Sequence, residues 1–247
     1  MDPGDLRAIG IAPEGSRVLS AEGSRVLSAE GSAVVDAEGS PDTSAAGWSA
    51  DLVYAAYRAG LFPMGLGEAG TGPVGWWAPR LRGVLRPGEL RVSTSLRKSR
   101  KRFRVTIDTC FEDVMRACAD PSRPGAWITP DFIALYCELH RTGRAHSVEV
   151  WNRETGALAG GLYGVAFGGV FAGESMFHRE RDASKVALVE LVELLDSVDD
   201  DVPWLIDTQW QTSHLASLGV SAVDAFAYAK ALESARHGFH SQAFPNQ

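Results

Sequence analysis

The sequence predicts an α+β fold in which a mixed sheet with flanking helices follows a small N-terminal α/β domain. Three observations lead to this prediction. Alternating apolar residues mark three strands within residues 147–174, and a strong helical pattern follows over residues 183–196. A short apolar strand, Trp204–Ile206, comes next. This order is compatible with an acetyltransferase-like (GNAT-type) layout, although periodicity alone does not distinguish it from other α+β folds.

The first 47 residues differ from the rest of the chain. An eight-residue unit, EGSRVLSA, occurs at Glu14–Ala21 and again at Glu22–Ala29, and it then decays through Glu30–Ala37. A small β-solenoid is the ordered alternative, but such stacks need several repeats and capping units. We therefore expect residues 1–47 to form a disordered, low-complexity tail.

A small N-terminal domain is predicted over residues 48–95. Ser49 is placed to cap a helix that Gly60 ends. Glycine and proline then divide the chain into short strands and turns around Trp76 and Trp77.

The larger domain is predicted over residues 96–235, with a short tail at 236–247. Hairpin signals separate three of its strands, and Thr129 before Pro130 is typical of a helix start. The predicted elements are a strand at Phe103–Thr109, a helix at Phe111–Ala119, a helix from Thr129 to Arg141, strands at Ser147–Trp151, Ala157–Val165 and Val170–Glu174, a helix capped by Asp182 or Ser184, and a small helix at His214–Leu218.

Composition narrows the class of protein. The chain has 247 residues, 45% of them apolar, and no apolar run approaches the roughly 18 to 20 residues of a membrane-spanning helix. Its first residues lack the basic and apolar regions of a secretory signal, so we expect a cytoplasmic protein without a membrane partner. Cys110, Cys118 and Cys137 are too few for a disulfide framework, and neither they nor His237 and His240 form a zinc motif.

Charge is unevenly distributed. The net charge is −7, yet the stretch from Arg80 to Arg104 holds ten basic residues and one acid, Glu89. A solvated basic surface without a ligand is one interpretation. The other is a site for a polyanion, favoured by Trp76 and Trp77 just before the stretch, because exposed aromatic rings beside basic residues bind single-stranded RNA ends. The candidate RNA-binding residues are Arg82, Arg97, Lys98, Arg100, Lys101 and Arg102.

Three polar residues follow apolar strands. Glu174, Asp207 and Gln209 each stand at the C-terminal end of a strand, where a carboxylate is either paired or used in chemistry. Ser175 is not a nucleophile elbow, since its surroundings lack the second glycine of that motif. An acetyl-CoA enzyme of this layout needs a glycine-rich turn before the helix, and His178–Ala183 contains no glycine. We therefore expect an acyl donor other than CoA.

A series of short motifs extends over roughly residues 52 to 220. They are Tyr57–Pro63 (YRAGLFP), Trp76–Pro79 (WWAP), Trp127–Thr129 (WIT), His146–Trp151 (HSVEVW), Gly160–Val165 (GGLYGV), Gly173–Phe177 (GESMF), Ala183–Leu188 (ASKVAL), Leu205–Gln209 (LIDTQ) and His214–Gly219 (HLASLG). In sequence and in order, this series resembles the leucyl/phenylalanyl-tRNA–protein transferases.

The resemblance implies an acetyltransferase-like catalytic domain behind a small N-terminal domain. It implies transfer of Leu or Phe, less readily Met, from aminoacyl-tRNA to a protein that begins with Arg or Lys, which marks that protein for degradation under the N-end rule. No metal or CoA cofactor is implied. By motif, Glu174, Asp207 and Gln209 match catalytic residues.

The substrate-binding residues that the resemblance implies are Trp127, Phe177, Trp77 and Met64. Met64 stands where a tryptophan that stacks on the substrate is common in the family, and the segment after Gly219 lacks the family's basic residue. These departures leave a second hypothesis open, a tRNA-binding module with weakened catalysis. An N-acetyltransferase is the third.

Overall fold

The computed structural model describes residues 17–19, 48–65, 70, 74–122, 127–198 and 201–245. Within these ranges the strands are β1 (Arg17–Leu19), β2 (Phe62–Gly65), β3 (Val74–Ala78), β4 (Leu81–Leu85), β5 (Phe103–Ile107), β6 (Ala145–Asn152), β7 (Leu158–Phe167), β8 (Val170–His178), β9 (Leu205–Gln209) and β10 (Ser221–Asp224). The helices are α1 (Ala50–Arg58), α2 (Thr94–Arg100), α3 (Phe111–Cys118), α4 (Pro130–Arg141), α5 (Ala183–Asp196), α6 (Ser213–Ser217), α7 (Ala225–Ala235) and a 3-10 helix at His240–Ala243.

Two sheets organise the chain. The smaller has the order β1-β3-β2, and the larger has the order β10-β4-β9-β8-β7-β6-β5. The predicted mixed α+β architecture is confirmed, since the larger sheet is antiparallel except where β8 and β9 run parallel.

Local signals account for the helix starts. The hydroxyl of Ser49 accepts a hydrogen bond from the Leu52 N–H at 3.1 Å, as the sequence predicts for an N-cap. Pro130 occupies the first turn of α4, where its missing N–H costs nothing. Helix α5 begins after Asp182, but the Asp182 side chain does not cap it; that carboxylate accepts a hydrogen bond from the Ser99 hydroxyl instead.

The parallel pair β8–β9 positions the site. Its pairing covers only Val170–Ala172 on β8 and Leu205–Asp207 on β9. Beyond Ala172, β8 continues to His178 while β9 ends at Gln209. The sheet therefore has a gap between two neighbouring strands, and side chains beyond the paired segments face that gap.

Two apolar cores cover the faces of the larger sheet. Helices α1, α3 and α4 pack over one face, around residues such as Phe132 and Tyr163. Helix α5 packs over the other face, where Leu188 and Leu191 meet Phe171.

Three segments lie within or next to the predicted domain limits. Within the repeat region, Arg17–Leu19 forms β1 and pairs antiparallel with Trp76–Ala78, while the rest of residues 1–47 lies outside the described residues. Strand β4 precedes the predicted boundary at residue 95, yet it pairs with β9 and β10 in the larger sheet. In the predicted C-terminal tail, Phe244 is buried and stacks on His146 with ring centroids 4.1 Å apart.

Candidate active site

The structure brings together Glu174, Asp207 and Gln209, although β8 continues to His178, so Glu174 lies within its strand and not at the predicted C-terminal end. Glu174 lies on β8, and Asp207 and Gln209 lie on β9. The Gln209 side chain spans the gap between the strands, because its Nε2 donates a hydrogen bond to Glu174 Oε1 at 3.1 Å. The divergence of β8 and β9 thus places a carboxyl group and an amide side by side.

Asp207 is held by four hydrogen bonds. Arg82 donates from Nε to Oδ1 at 2.8 Å and from Nη2 to Oδ2 at 2.7 Å, which is a bidentate ion pair. The Tyr228 hydroxyl donates to Oδ2 at 2.8 Å, and the Gln209 backbone N–H donates to Oδ1 at 2.9 Å. The Asp207 carboxylate therefore orients Gln209 by accepting a hydrogen bond from the Gln209 backbone N–H, and not from the Gln209 side chain.

Arg82 is not available to an RNA phosphate, and its assignment as an RNA-binding residue is wrong. The side chain is 2% exposed, and its guanidinium lies between the rings of Phe62 and Tyr228, 4.8 and 4.5 Å from their centroids. Because Arg82 belongs to β4, next to β9, it points at Asp207 and not at solvent. A buried guanidinium needs such a partner.

The backbone of Gln209 is strained. Its φ is +57°, and the Trp210 N–H donates to the Thr208 carbonyl across it at 2.6 Å, so the strand ends in a three-residue turn. A non-glycine residue in such a conformation costs about 1–3 kcal/mol and persists where its surroundings hold it. The Asp207 carboxylate, bonded to the Gln209 N–H, is one such restraint.

Gly83 makes room for this turn. It lies opposite Gln209 at a register shift in the β4–β9 pairing. A Cβ atom there would stand 2.6 Å from Thr208 Oγ1 and 2.6 Å from the Trp210 carbonyl carbon, which is closer than real Cβ contacts. The turn at Gln209 therefore needs a residue without a Cβ atom opposite it on β4.

Glu174 is bound by a pair of tyrosines. The Tyr136 hydroxyl donates to Oε2 at 3.1 Å, and the hydroxyls of Tyr57 and Tyr136 are hydrogen-bonded to each other. Burial raises the pKa of the Glu174 carboxyl to about 8, against the opposing effect of the tyrosine hydrogen bonds. The carboxyl is thus mainly protonated at neutral pH, and a cation bound beside it would favour the ionised form.

One cavity of about 1310 Å³ contains this site. Its lining includes Trp127, Phe177 and Trp210 beside Glu174 and Gln209, together with six apolar side chains of the α5 core that we call the apolar arm. The apolar arm is lined by Leu162, Phe171, Met176, Leu188, Leu191 and Ile206.

The predicted substrate-binding residues divide into two pairs. Trp127 and Phe177 line the cavity. Trp77 and Met64 do not; they are 2% and 3% exposed, and the Trp77 indole N–H donates to the Met64 carbonyl at 3.3 Å. Both belong to the small sheet, where Trp77 lies on the central strand.

The expectation of exposed aromatic rings at Trp76 and Trp77 is wrong. Trp76 is 4% exposed and stacks on Trp48 with centroids 4.3 Å apart. These rings form the core of the small sheet, so the basic stretch after them has no exposed aromatic neighbour at these positions.

The remaining basic candidates lie on or just after α2. Arg97, Lys98, Lys101 and Arg102 are exposed. Arg100 instead bonds to Glu190 and Glu193 of α5, so its charge is balanced and it anchors α2 to α5.

Sequence reasoning missed Tyr57, Tyr136 and Tyr228 as site residues. Each lies on a helix at an apolar position, where a tyrosine usually packs in the core. The local sequence pattern does not distinguish a tyrosine whose hydroxyl bonds to a carboxylate from a tyrosine that only packs in the core.

Two structural findings bear on other classes of protein. Among the described residues, no group of three or more His, Cys, Asp or Glu side chains is placed to hold a metal ion. Nor does any helix in these ranges have the length and apolar composition needed to cross a bilayer.

Comparison with known proteins identifies the family. The model described as leucyl/phenylalanyl-tRNA protein transferase matches residues 84–233, and the model of its N-terminal domain matches residues 48–80. The leucyl/phenylalanyl-tRNA–protein transferase of Chromobacterium violaceum is 44% identical over 195 residues, which cover 76% of this chain and 80% of the relative. The proteins of that name from an Anaeromyxobacter species and from Pectobacterium atrosepticum are 50% identical over 180 residues and 48% over 171. Those alignments cover 71% and 68% of this chain, and 73% and 69% of the respective relatives. The chain therefore belongs to the leucyl/phenylalanyl-tRNA–protein transferase family.

Proposed function

We propose that this chain transfers Leu, Phe or Met from aminoacyl-tRNA to the N-terminal Arg or Lys of an acceptor protein, in N-end-rule degradation in the cytoplasm. The observation that supports it most directly is the cavity between β8 and β9. An apolar arm and the Glu174–Gln209 pair open into the same space. A donor side chain and an acceptor amine can thus be held next to each other.

The apolar arm suits the donor side chain. Aliphatic residues, Phe171 and Met176 line it, without a charged group among the six lining side chains. Leu, Phe and Met fill such a space and gain from burial, whereas a β-branched side chain is disfavoured by shape. Packing alone separates the transition-state free energies of such similar donors by a few kcal/mol at most.

The Glu174–Gln209 pair suits the amine. With its Nε2 bonded to Glu174, Gln209 keeps its amide oxygen as an acceptor for the N–H of the incoming amine. An α-amine has a pKa of roughly 8, so it must lose a proton before it attacks the ester. Glu174 binds the cationic side chain of the acceptor, and Asp207 keeps Gln209 in position through the backbone. An aminoacyl ester is already activated, so positioning supplies much of the rate.

Four exposed basic residues, Arg97, Lys98, Lys101 and Arg102, would bind the tRNA backbone. Arg100 is not among them, because its charge is balanced by two glutamates of α5.

The N-acetyltransferase alternative is disfavoured by the start of α5. In a GNAT-type layout, which the order β6-β7-β8-α5-β9 supports, the pyrophosphate of CoA would lie at this helix start. Here the Asp182 carboxylate is only partly exposed at that place, bonded to Ser99 and 3.5 Å from Lys185. The Asp182 side chain, paired with Lys185 and Arg181, occupies this helix start, and residues 178–183 contain no glycine that would bring backbone N–H groups close to a pyrophosphate.

The test is transfer of labelled Leu, Phe or Met from the charged tRNA to a peptide that begins with Arg. We expect multiple turnovers with Phe or Leu, no transfer to a peptide that begins with Ala, and no binding heat with acetyl-CoA. Salt-sensitive tRNA binding without turnover would instead support a tRNA-binding module, and heat with acetyl-CoA would support an N-acetyltransferase.

A further inference from the structure

Trp151 is a further aromatic side chain that lines the catalytic cavity. Trp151, on β6, is half-buried and lines the same cavity as Glu174 and Gln209. Its indole N–H donates to Thr106 Oγ1 at 2.8 Å, which fixes the plane of the ring. The guanidinium of Arg104 lies 5.5 Å from the ring centroid. The ring is thus fixed in orientation and next to a cation.

Besides Arg104, three arginines lie on the strands and turns next to Trp151. Arg179 lies 5.4 Å from the Phe177 ring and donates to the Leu158 carbonyl at 3.1 Å, and Leu158 pairs with Trp151 across β6 and β7. The turn after β6 is tied to the end of α2, because the Arg153 N–H donates to the Arg102 carbonyl at 2.9 Å. Arg102, Arg104, Arg153 and Arg179 are all exposed.

The position of Trp151 connects two parts of the proposed function. On one side is the end of α2, with its exposed basic residues; on the other is Phe177, on the cavity wall beside Glu174. Phe177 on β8 is in register with Glu149 on β6, two residues before Trp151, so Trp151 and Phe177 are roughly 12 Å apart. A nucleic acid strand that runs from α2 to the catalytic pair would pass over this ring.

We propose that Trp151 stacks on one of the unpaired nucleotides that precede the aminoacylated 3′ adenosine of the tRNA, with Arg104 and Arg179 contacting the adjoining phosphates. This inference rests on the proposed function. Aromatic rings beside arginines bind single-stranded nucleotides by stacking and by charge. The acceptor chain is the alternative occupant, since Asp113 and Asp120 also line the cavity. A segment that begins with Arg or Lys is disfavoured by the arginines next to Trp151.

Two donors isolate the contribution of these nucleotides. One is Phe-tRNA, and the other is 3′-O-phenylalanyl-adenosine, which lacks the preceding nucleotides. With Trp151→Ala we expect KM for Phe-tRNA to rise about 5- to 150-fold, as stacking on one base requires. We expect KM for phenylalanyl-adenosine and for the acceptor peptide to stay within about twofold of the wild type. Trp151→Phe keeps an aromatic ring and should restore most of the loss.

Binding without turnover separates this inference from the proposed function. Trp151→Ala should weaken binding of uncharged tRNA and leave unchanged the binding of tRNA that lacks its unpaired 3′ nucleotides. Arg104→Ala should lower the slope of log K against log salt by about 0.7, the value for one phosphate of a single strand. Arg141→Ala is the control. Arg141 is exposed but lies before the first residue of β6, whereas Trp151 lies near the last. The salt dependence of tRNA binding by Arg141→Ala should equal that of the wild type.

Three results would overturn the inference. Equal losses with both donors would mean that Trp151 supports the catalytic centre or the fold. A rise in KM for the acceptor peptide alone would mean that the acceptor chain occupies the ring. Equal tRNA binding by Trp151→Ala and the wild type would mean that no nucleotide stacks on Trp151, whatever the outcome of the transfer assay. The proposed function fails separately: a wild type that binds tRNA through Trp151 but transfers no amino acid would contradict the proposed function and not this inference.

Discussion

Arg82 and Asp207 form a bidentate ion pair at 2.8 and 2.7 Å, and each side chain is only 2% exposed. The pair joins the neighbouring strands β4 and β9 at the point where β9 turns to present Gln209. The pair bonds to both carboxylate oxygens of Asp207, which supports the proposed role of Asp207 in positioning Gln209 rather than in accepting a proton.

Breaking this pair should reduce stability and transfer without reducing tRNA affinity. Arg82→Ala leaves the Asp207 charge buried and unpaired, which costs about 3–5 kcal/mol of unfolding free energy. Arg82→Lys keeps the charge but loses the bidentate geometry, so we expect a lower kcat in a protein that remains folded. Denaturant unfolding, transfer kinetics and tRNA binding measure the three quantities. A loss of tRNA affinity by Arg82→Lys, with normal kcat, would restore Arg82 to the RNA-binding surface.

Gly83 should not tolerate a side chain. A Cβ atom would stand 2.6 Å from both Thr208 Oγ1 and the Trp210 carbonyl carbon, so the turn at Gln209 must shift. We expect Gly83→Ala to lower the free energy of unfolding by about 1–3 kcal/mol, the usual cost of overpacking, and to lower kcat. The control for stability is Gly173→Ala, where the nearest atom to a Cβ is 3.8 Å away. Equal stability of the two variants would show that the turn has room.

Glu174 should make stability depend on pH. Burial raises the pKa of its carboxyl to about 8, above the value near 4.3 of an unfolded chain. The protonated form is favoured by folding, so its contribution is fully present below about pH 4 and is lost as the pH rises through 8. The free energy of unfolding of the wild type should therefore fall relative to that of Glu174→Gln between pH 5 and pH 9. A difference between the two proteins that is constant over this range would contradict the raised pKa.

Met176 should tune the choice of donor. It lines the apolar arm and is only half-buried, so the fold should accept a smaller residue. Met176→Ala enlarges the arm, and the smaller Leu side chain loses more of its contacts than Phe. We expect kcat/KM with Leu-tRNA to fall about 10-fold or more, and less with Phe-tRNA. Equal losses with both donors would place the donor side chain elsewhere.

The strands β6 to β9 were predictable because alternating apolar residues mark them in the sequence. The polar residues Glu174, Asp207 and Gln209 were noticed for the same local reason, since each follows an apolar run. The series of short motifs indicated the family. Each of these features can be recognised from residues that are close together in the sequence.

Long-range contacts were not predictable from the same signals. Arg82 is 125 residues from Asp207, so a charge count placed it with the basic stretch although β4 aims it into the core. Trp76 and Trp77 were expected at the surface because basic residues follow them, yet pairing on both sides of β3 buries them. The pattern around Tyr57, Tyr136 and Tyr228 is that of ordinary core helices, and only the packing brings their hydroxyls to a carboxylate.

Single-turnover transfer by Gln209→Ala tests the central claim most directly. The enzyme is saturated with Phe-tRNA and mixed with a peptide that begins with Arg, and tRNA affinity is measured on the same preparation. If the Gln209 amide accepts a hydrogen bond from the attacking amine, the rate should fall about 100-fold or more while tRNA affinity and the free energy of unfolding stay near those of the wild type. A Gln209→Ala variant that transfers Phe at the wild-type rate would contradict the assignment of the Glu174–Gln209 pair as the catalytic centre.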